Sequence, residues 1–326
     1  MKIRLLLAAL LVGLCLSSCS RKDRGKQPER EDSSRGATTR PSAPQKPAGP
    51  PRSIDLDLGD GVTMKFVLIA AGKFMMGGKS SPAEVARKFH RYGGQEAYYT
   101  AEHPQREVTI SKPFYMGIWE VTRPQWDAVM GPGPWKGKKC DNSDAGNVAN
   151  HVSWTDASKF CEKLSQKTGK TVALPTEAQW EYACRAKRKE AYSFGDDESK
   201  LGLYAWFAEN ALGVNEPYPH RAGLKTPNFW GLYDMHGNAA EWCRDWYDEK
   251  FYASAGAKSI DPENTTAGTH RVLRGGAWGQ YPDSCRSAYR SGNTPAARKC
   301  SYGFRVMVAI DTGGSPTTRR GGVPEK

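Results

Sequence analysis

Apolar residues in this chain come in short runs whose period changes often, a pattern that predicts many small elements rather than a few long ones. Val62-Thr-Met-Lys-Phe-Val-Leu-Ile69 is rich in β-branched and large apolar side chains and runs into Gly72, which reads as a strand ending at a turn. Phe74-Met-Met-Gly-Gly78 is placed to return as its hairpin partner. Arg106-Glu-Val-Thr-Ile110 and Phe114-Tyr-Met-Gly-Ile118 predict a second pair of strands joined at Lys112-Pro113, and residues 303–310 predict a strand that closes the domain.

Between these strands, three helix starts share one grammar: a hydroxyl residue that can accept orphan amide hydrogens, and a polar partner three residues on. Thr122-Arg-Pro-Gln125 opens the first, with Trp126, Val129 and Met130 on its apolar face. Ser153-Trp-Thr-Asp156 opens the second, where Ala157, Phe160, Cys161 and Leu164 fall at helical spacing before a stop at Gly169. Thr176-Glu-Ala-Gln179 opens the third, burying Trp180, Ala183 and Cys184. From 187 to 302 the chain is rich in Gly, Asn, Asp and Pro and has little periodicity, which predicts mostly loop held by staples such as disulfides, ions or tryptophans. No internal repeat is found.

Composition is that of a globular chain: 326 residues, 38% hydrophobic and 25% charged, with 34 Gly, 21 Pro and 10 Trp. No apolar run approaches the roughly 18 to 20 residues that a spanning helix needs. Net charge is +12, but residues 54–310 carry only +4 of it, so the globular part lacks the clustered basic face of a nucleic-acid binder. Most of the excess lies in the first 53 residues. Residues 1–19 read as an export signal, with Lys2 and Arg4, an apolar stretch from Leu5 to Leu16, and Leu16-Ser17-Ser18-Cys19, which resembles a bacterial lipobox. Cys19 is then the lipid anchor, residues 20–53 a disordered tether, 54–310 one domain and 311–326 a disordered tail. The expected location is the bacterial cell envelope, facing periplasm or exterior. In that compartment disulfides persist, and the six cysteines of the domain have fifteen possible pairings.

Seven motifs follow one another in order: Phe114-Tyr-Met-Gly-Ile-Trp-Glu-Val-Thr122, Val152-Ser-Trp-Thr-Asp-Ala157, Leu174-Pro-Thr-Glu-Ala-Gln-Trp-Glu-Tyr-Ala183, Gly231-Leu-Tyr-Asp-Met-His-Gly-Asn238, Glu241-Trp-Cys243, Arg274-Gly-Gly-Ala-Trp278 and Gly303-Phe-Arg305. Together they make residues 60–310 resemble the formylglycine-generating enzyme, or sulfatase-modifying factor, family. The resemblance implies an α+β fold, a loop-rich variant of the C-type lectin fold. It also implies an oxidase whose two cysteines, five residues apart, bind Cu(I) and activate oxygen, chemistry suited to soft, accessible thiolates. Counted forward from Arg274, those positions hold Gln280 and Cys285; counted back from Arg290, neither is a cysteine. An amide cannot stand in for a thiolate on Cu(I), so copper is not expected.

Cys285 has two readings: a catalytic thiol whose pKa is lowered by Arg286 and Arg290, or half of a disulfide with Cys243, which is the expectation carried forward. Cys161 and Cys184 match positions where the family holds structural disulfides, but the partner positions carry Val306 and Ser287, which makes Cys300 a substitute partner for Cys161. The resemblance also implies structural Ca²⁺, with Asp234, Gly237, Ala239 and Glu241 in one cage and Asn210 with the carbonyl of Ala211 beginning another. A hydrogen-bonded turn is the other reading of the two acids. Trp278, Gln280, Tyr281, Arg286, Tyr289 and Arg290 are groove candidates for an extended peptide or a sugar, or else core residues. The expected role is a lipid-anchored module that binds an envelope protein or glycan, with an enzyme, a divergent formylglycine-generating-type oxidase or another modifying enzyme using the same groove, as the alternative.

Overall fold

In the computed structural model, the described residues are 50–138, 140, 147–254, 257 and 259–310. The export signal, Cys19, most of the tether and the tail lie outside them. In chain order the elements begin with β1 (Ser53–Asp57), β2 (Thr63–Ile69), β3 (Gly72–Met76), α1 (Pro82–Lys88), β4 (Arg106–Ile110) and β5 (Phe114–Gly117). The helices α2 (Arg123–Met130) and α3 (Trp154–Thr168) precede β6 (Val172–Ala173), and α4 (Glu177–Arg185) and α5 (Leu201–Tyr204) follow it. Last come β7 (Ala240–Trp246), β8 (Arg271–Arg274), β9 (Ser291–Asn293), β10 (Tyr302–Gly303) and β11 (Met307–Ala309). This is the loop-rich α+β architecture the motifs implied.

The three expected helix starts are present, each with a reciprocal capping box, at Thr122, Ser153 and Thr176. A fourth box, Ser81 with Glu84, opens α1 and went unread in the sequence. The strand pairings differ from expectation. β3 does not return on β2 but pairs with β4 in a separate two-stranded sheet, and β5 pairs with β2 and β11 rather than with β4. β2 has both edges filled, by β1 and by β5, in a sheet ordered β1-β2-β5-β11-β6. The tether boundary also shifts: Ser53 pairs with Val67, and the Arg52 carbonyl accepts from Leu68, so these residues belong to the sheet.

The tract from 187 to 302, expected as loop, contains most of a four-stranded sheet ordered β10-β7-β8-β9. Its central strand β7 has both faces covered, with Trp242 in one apolar cluster and Cys243 in the other, so its sequence shows no alternation to read. β5 is covered on both faces in the same way, by Tyr115 on one side and by Phe114 and Met116 on the other. Between the larger sheet and helices α2 and α3, Trp126 stacks on Phe160 at 5.7 Å, and Phe160 meets Phe304 edge-on at 5.2 Å.

Buried arginine–carboxylate pairs take the place of staples in the irregular half. Arg290 holds Glu177 with two nitrogens at 2.7 and 2.8 Å, and its third donates to the carbonyls of Ala101 and Asp248. Arg274 pairs with Glu181 and donates to the carbonyls of Ser287, Ala288 and Tyr289. Arg286 grips Glu102 at 2.9 and 2.6 Å, and Arg305 grips Glu241 through two nitrogens at 2.6 Å. All eight groups are buried. Removing one partner leaves an uncompensated charge in the interior, so Glu177→Ala should lower unfolding free energy by about 3–5 kcal/mol in urea denaturation. Glu107→Ala breaks a pair with Lys73 whose side chains are 61% and 63% exposed; it should cost less than about 1 kcal/mol.

Candidate functional site

The segment in which the family's oxidising cysteines would stand runs from the end of β8 to the start of β9. Gly275 and Gly276 open it with left-handed backbone, φ +93° and +73°. A Cβ on Gly276 would sit 2.7 Å from Cys285 Sγ and 2.9 Å from the Ser284 carbonyl, so only glycine lets the loop fold back on itself there. Arg274, at the loop's start, captures the carbonyls of 287–289 at its end, and Arg286 donates to the Asp283 carbonyl within it. The loop is closed by guanidinium forks, the geometry that suits several acceptors at once.

Cys285 is fully buried and unpaired, packed with Tyr192, Leu201, Ala205 and Phe207. Burial pushes its thiol pKa far up, Asp283 adds to the rise, and the Ala277 amide opposes it weakly. Arg286 and Arg290, expected to lower that pKa, are instead engaged by Glu102 and Glu177. The expected bond to Cys243 is absent, because Cys243 sits on β7 in a different apolar cluster. Cys161 is likewise free, buried on the inner face of α3 in the cluster that holds Val306. Cys300 pairs with Cys140, whose Cα lies 6.1 Å away and 160 residues earlier in sequence. At the other family position the spatial match survives without the bond: Cys184 Sγ lies 3.6 Å from Ser287 Oγ.

His236, inside the Asp-Met-His-Gly-Asn motif, links this loop to the turn at Ser193 and lies 3.9 Å from Cys184 Sγ of α4. Its Nε2 accepts from the Ser193 amide at 3.0 Å, so its Nδ1 carries the hydrogen and donates to the Cys285 carbonyl at 2.9 Å. Burial lowers its pKa to about 4, keeping the imidazole neutral.

Of the residues implied for calcium, Asp234 has left-handed backbone (φ +58°), is 1% exposed and accepts from the Gly223 amide through Oδ2, while Oδ1 has no partner. Burial raises its pKa to about 6. A Cβ on Gly237 would sit 2.2 Å from the Trp206 carbonyl, which fixes the close backbone approach of this turn. Ala239 is buried. Glu241 accepts from Arg305 through both oxygens and from Trp180 Nε1 at 2.7 Å, so its charge is already balanced. Behind them Glu120 is buried with neither oxygen partnered, and burial together with the charges of Asp234 and Glu241 raises its pKa. Asn210 Oδ1 accepts from the Phe207 amide, and the Ala211 carbonyl accepts from the Val214 and Glu216 amides, so both are engaged in local turns.

The groove candidates do not share one groove. Tyr289 and Arg290 line a depression of about 820 Å³ with Tyr98 and Tyr247; Arg286 lines a smaller one of about 200 Å³ with Phe89 and Lys189. Trp278, Gln280 and Tyr281 lie outside both. Tyr281, 46% exposed, stacks on Tyr92 at 5.1 Å. Trp278 is linked through Asn238 to two residues that the sequence did not flag. Its amide donates to the Asn238 carbonyl, Asn238 bonds Trp206 and His220, and the Trp206 and His220 rings stack at 3.8 Å. The side-chain nitrogens Trp278 Nε1, Trp206 Nε1 and His220 Nδ1 are left without partners. The rest of the larger depression's wall, Tyr98 and residues 247–250, was missed, although the run Asp245-Trp-Tyr-Asp-Glu249 carries the acid–aromatic signal for it.

Comparison with known proteins agrees with the motifs. The model of the sulfatase-modifying factor enzyme 1-like domain matches residues 60–310. A serine/threonine-protein kinase pkn1 of Chlamydia caviae is 37% identical over 276 residues, covering 76% of this chain and 38% of that protein. The formylglycine-generating enzyme of Streptomyces coelicolor is 33% identical over 210 residues, covering 59% of this chain and 63% of the enzyme. The chain thus spans less than two thirds of either relative. Among solved structures, PvdO from Pseudomonas aeruginosa superposes with a TM-score of 0.66 at 26% identity, covering 81% of this chain and all of that one.

Two measurements check the site's chemistry. A chain beginning at Pro50 should show no thiol reactive to an aromatic disulfide while folded and four once denatured without reductant, the thiols of Cys161, Cys184, Cys243 and Cys285. Protonation of His236 favours the unfolded chain, because its folded pKa lies below the ordinary value. Its contribution to stability is complete above about pH 6.5 and is lost as pH falls through about 4, a change of about 3 kcal/mol. Urea titrations at pH 7 and pH 4 should therefore show a smaller acid loss for His236→Gln than for the parent.

Proposed function

The chain belongs to the sulfatase-modifying factor family, and from that membership we propose that it is a binding or assembly module of the bacterial envelope rather than a thiol oxidase. The observation that carries the reading is the missing cysteine pair: counted forward from Arg274 the family's oxidising positions hold Gln280, an amide, and Cys285, a thiol buried to 0% exposure, and counted back from Arg290 they hold no cysteine. A Cu(I) thiolate needs a deprotonated, reachable sulfur, and burial drives this thiol the other way. The residues present do not fit copper, and no oxidative step is assigned to them.

Anchoring through Cys19 is part of the same proposal, supported by the Leu16-Ser17-Ser18-Cys19 segment and by the Pro- and Arg-rich residues that follow it. The partner would be an envelope protein or a glycan. Structural Ca²⁺ is proposed at Asp234 with the backbone carbonyls of Gly237 and Ala239. It is supported by the unpartnered, buried Asp234 Oδ1, an oxygen of the kind a hard cation satisfies. With Glu241 balanced by Arg305, this donor set is weaker than two free carboxylates would make it.

Incubation with a Cys-x-Pro-x-Arg peptide, oxygen and Cu(I) should give no aldehyde; aldehyde that disappears in Cys285→Ser would overturn the module reading. Calcium at a hundred times its Kd should stabilise the fold by about 2.7 kcal/mol, raising Tm by roughly 5–10 °C over a chelated sample. An unchanged Tm would remove calcium from the proposal.

A further inference from the structure

The depression lined by Tyr98 and Tyr247 has a chemistry of its own. It opens where the end of β7, the 264–270 loop, β9 and the turns at 97–101 meet, and has a volume of about 820 Å³. That is within the size range of small-molecule sites. Tyr98, Tyr247, Asp248, Glu249, Lys250 and His270 stand in its wall. Tyr98 is 51% exposed, and no hydrogen bond or ion pair among the described residues engages its hydroxyl, the Glu249 carboxylate or the Lys250 ammonium.

The floor is rigid. Arg290 is 2% exposed, neutralised by Glu177, and ties the carbonyls of Ala101 and Asp248 together at 2.8 and 3.2 Å, so it fixes the base without offering a charge to a ligand. Gly292 of β9 carries the Tyr247 ring directly on its backbone: a Cβ there would meet Tyr247 Cγ at 2.8 Å. The ring is thereby held in place before any ligand arrives.

This wall selects against several ligand classes. An apolar molecule would desolvate Asp248, Glu249 and Lys250 without return. An anion meets two carboxylates, and a cation meets Lys250. A neutral ring with a flat C–H face and hydroxyls at its rim suits the unengaged groups, with its face on tyrosine, its hydroxyls donating to the Glu249 carboxylate and to the free oxygen of Asp248, and its oxygens accepting from the Lys250 ammonium. We propose that this depression is a binding site for a neutral oligosaccharide. The proposal deepens the binding-module reading and rests on it. The two fail separately, since aldehyde formation would sink the module and leave the depression, whereas sugar titration tests the depression alone.

The experiment titrates the full chain with maltotriose, cellotriose and triacetylchitotriose by calorimetry and saturation-transfer NMR. At least one should bind saturably. Tyr98→Ala, on an exposed side chain, should weaken it about tenfold, equivalent to about 1.4 kcal/mol. Gly292→Val should weaken it too by displacing Tyr247, with melting curves confirming that both variants fold. Binding of none of the three overturns the proposal, as does binding that both folded variants leave unchanged. Binding of a lysine-rich peptide instead, lost in Glu249→Gln, would assign the depression to a cationic peptide and overturn it equally.

Discussion

The irregular half of this domain depends on arginine side chains buried against glutamates. A guanidinium presents five donors in a fixed plane, so one residue can neutralise a carboxylate and satisfy backbone carbonyls that no sheet or helix reaches. Arg274 does this for residues 287–289 and Arg290 for residues 101 and 248. Burying ion pairs gives little net stability compared with a well-packed apolar core, but breaking one leaves a bare charge inside. Specific geometry is what such an arrangement supplies here, holding loops of low intrinsic order in one conformation.

That constraint explains how a family scaffold can keep its shape while its cysteines change. The acids come from α4, β7 and the 100–102 turn, and the arginines from β8, its following loop and the closing segment. Cys184 still faces position 287 although no bond joins them, and Cys161 still packs in the cluster of Val306. Disulfides at those places are therefore dispensable to the fold. The one described disulfide, Cys140 to Cys300, ties a different loop.

Legibility in the sequence followed local physics. The capping boxes at Thr122, Ser153 and Thr176 were readable because each needs only four residues. β7 was not, since a strand buried on both faces loses its alternation, and neither was the pairing of β3 with β4, which depends on which edges β1 and β5 have already filled. Asp234 and Glu241 could be named from the motif, but that Arg305 would hold Glu241 required the fold. The cysteine pairings failed for the same reason, because burial in separate apolar clusters is a property of packing rather than of spacing. Tyr98 and Glu249 lie about 150 residues apart, and only the closing of the loops sets them in one wall.

Native-state hydrogen exchange tests the role of the arginine network most directly. The amides of Trp278, Ser287 and Tyr289, which bond Asn238, Ala191 and Arg286, lie in a loop with almost no regular structure. If the guanidinium forks make that loop part of the cooperative core, these amides should exchange only through global unfolding, with the same free energy and denaturant dependence as the amides of α4. Exchange by local opening at these three positions, while α4 stays protected, would contradict the account.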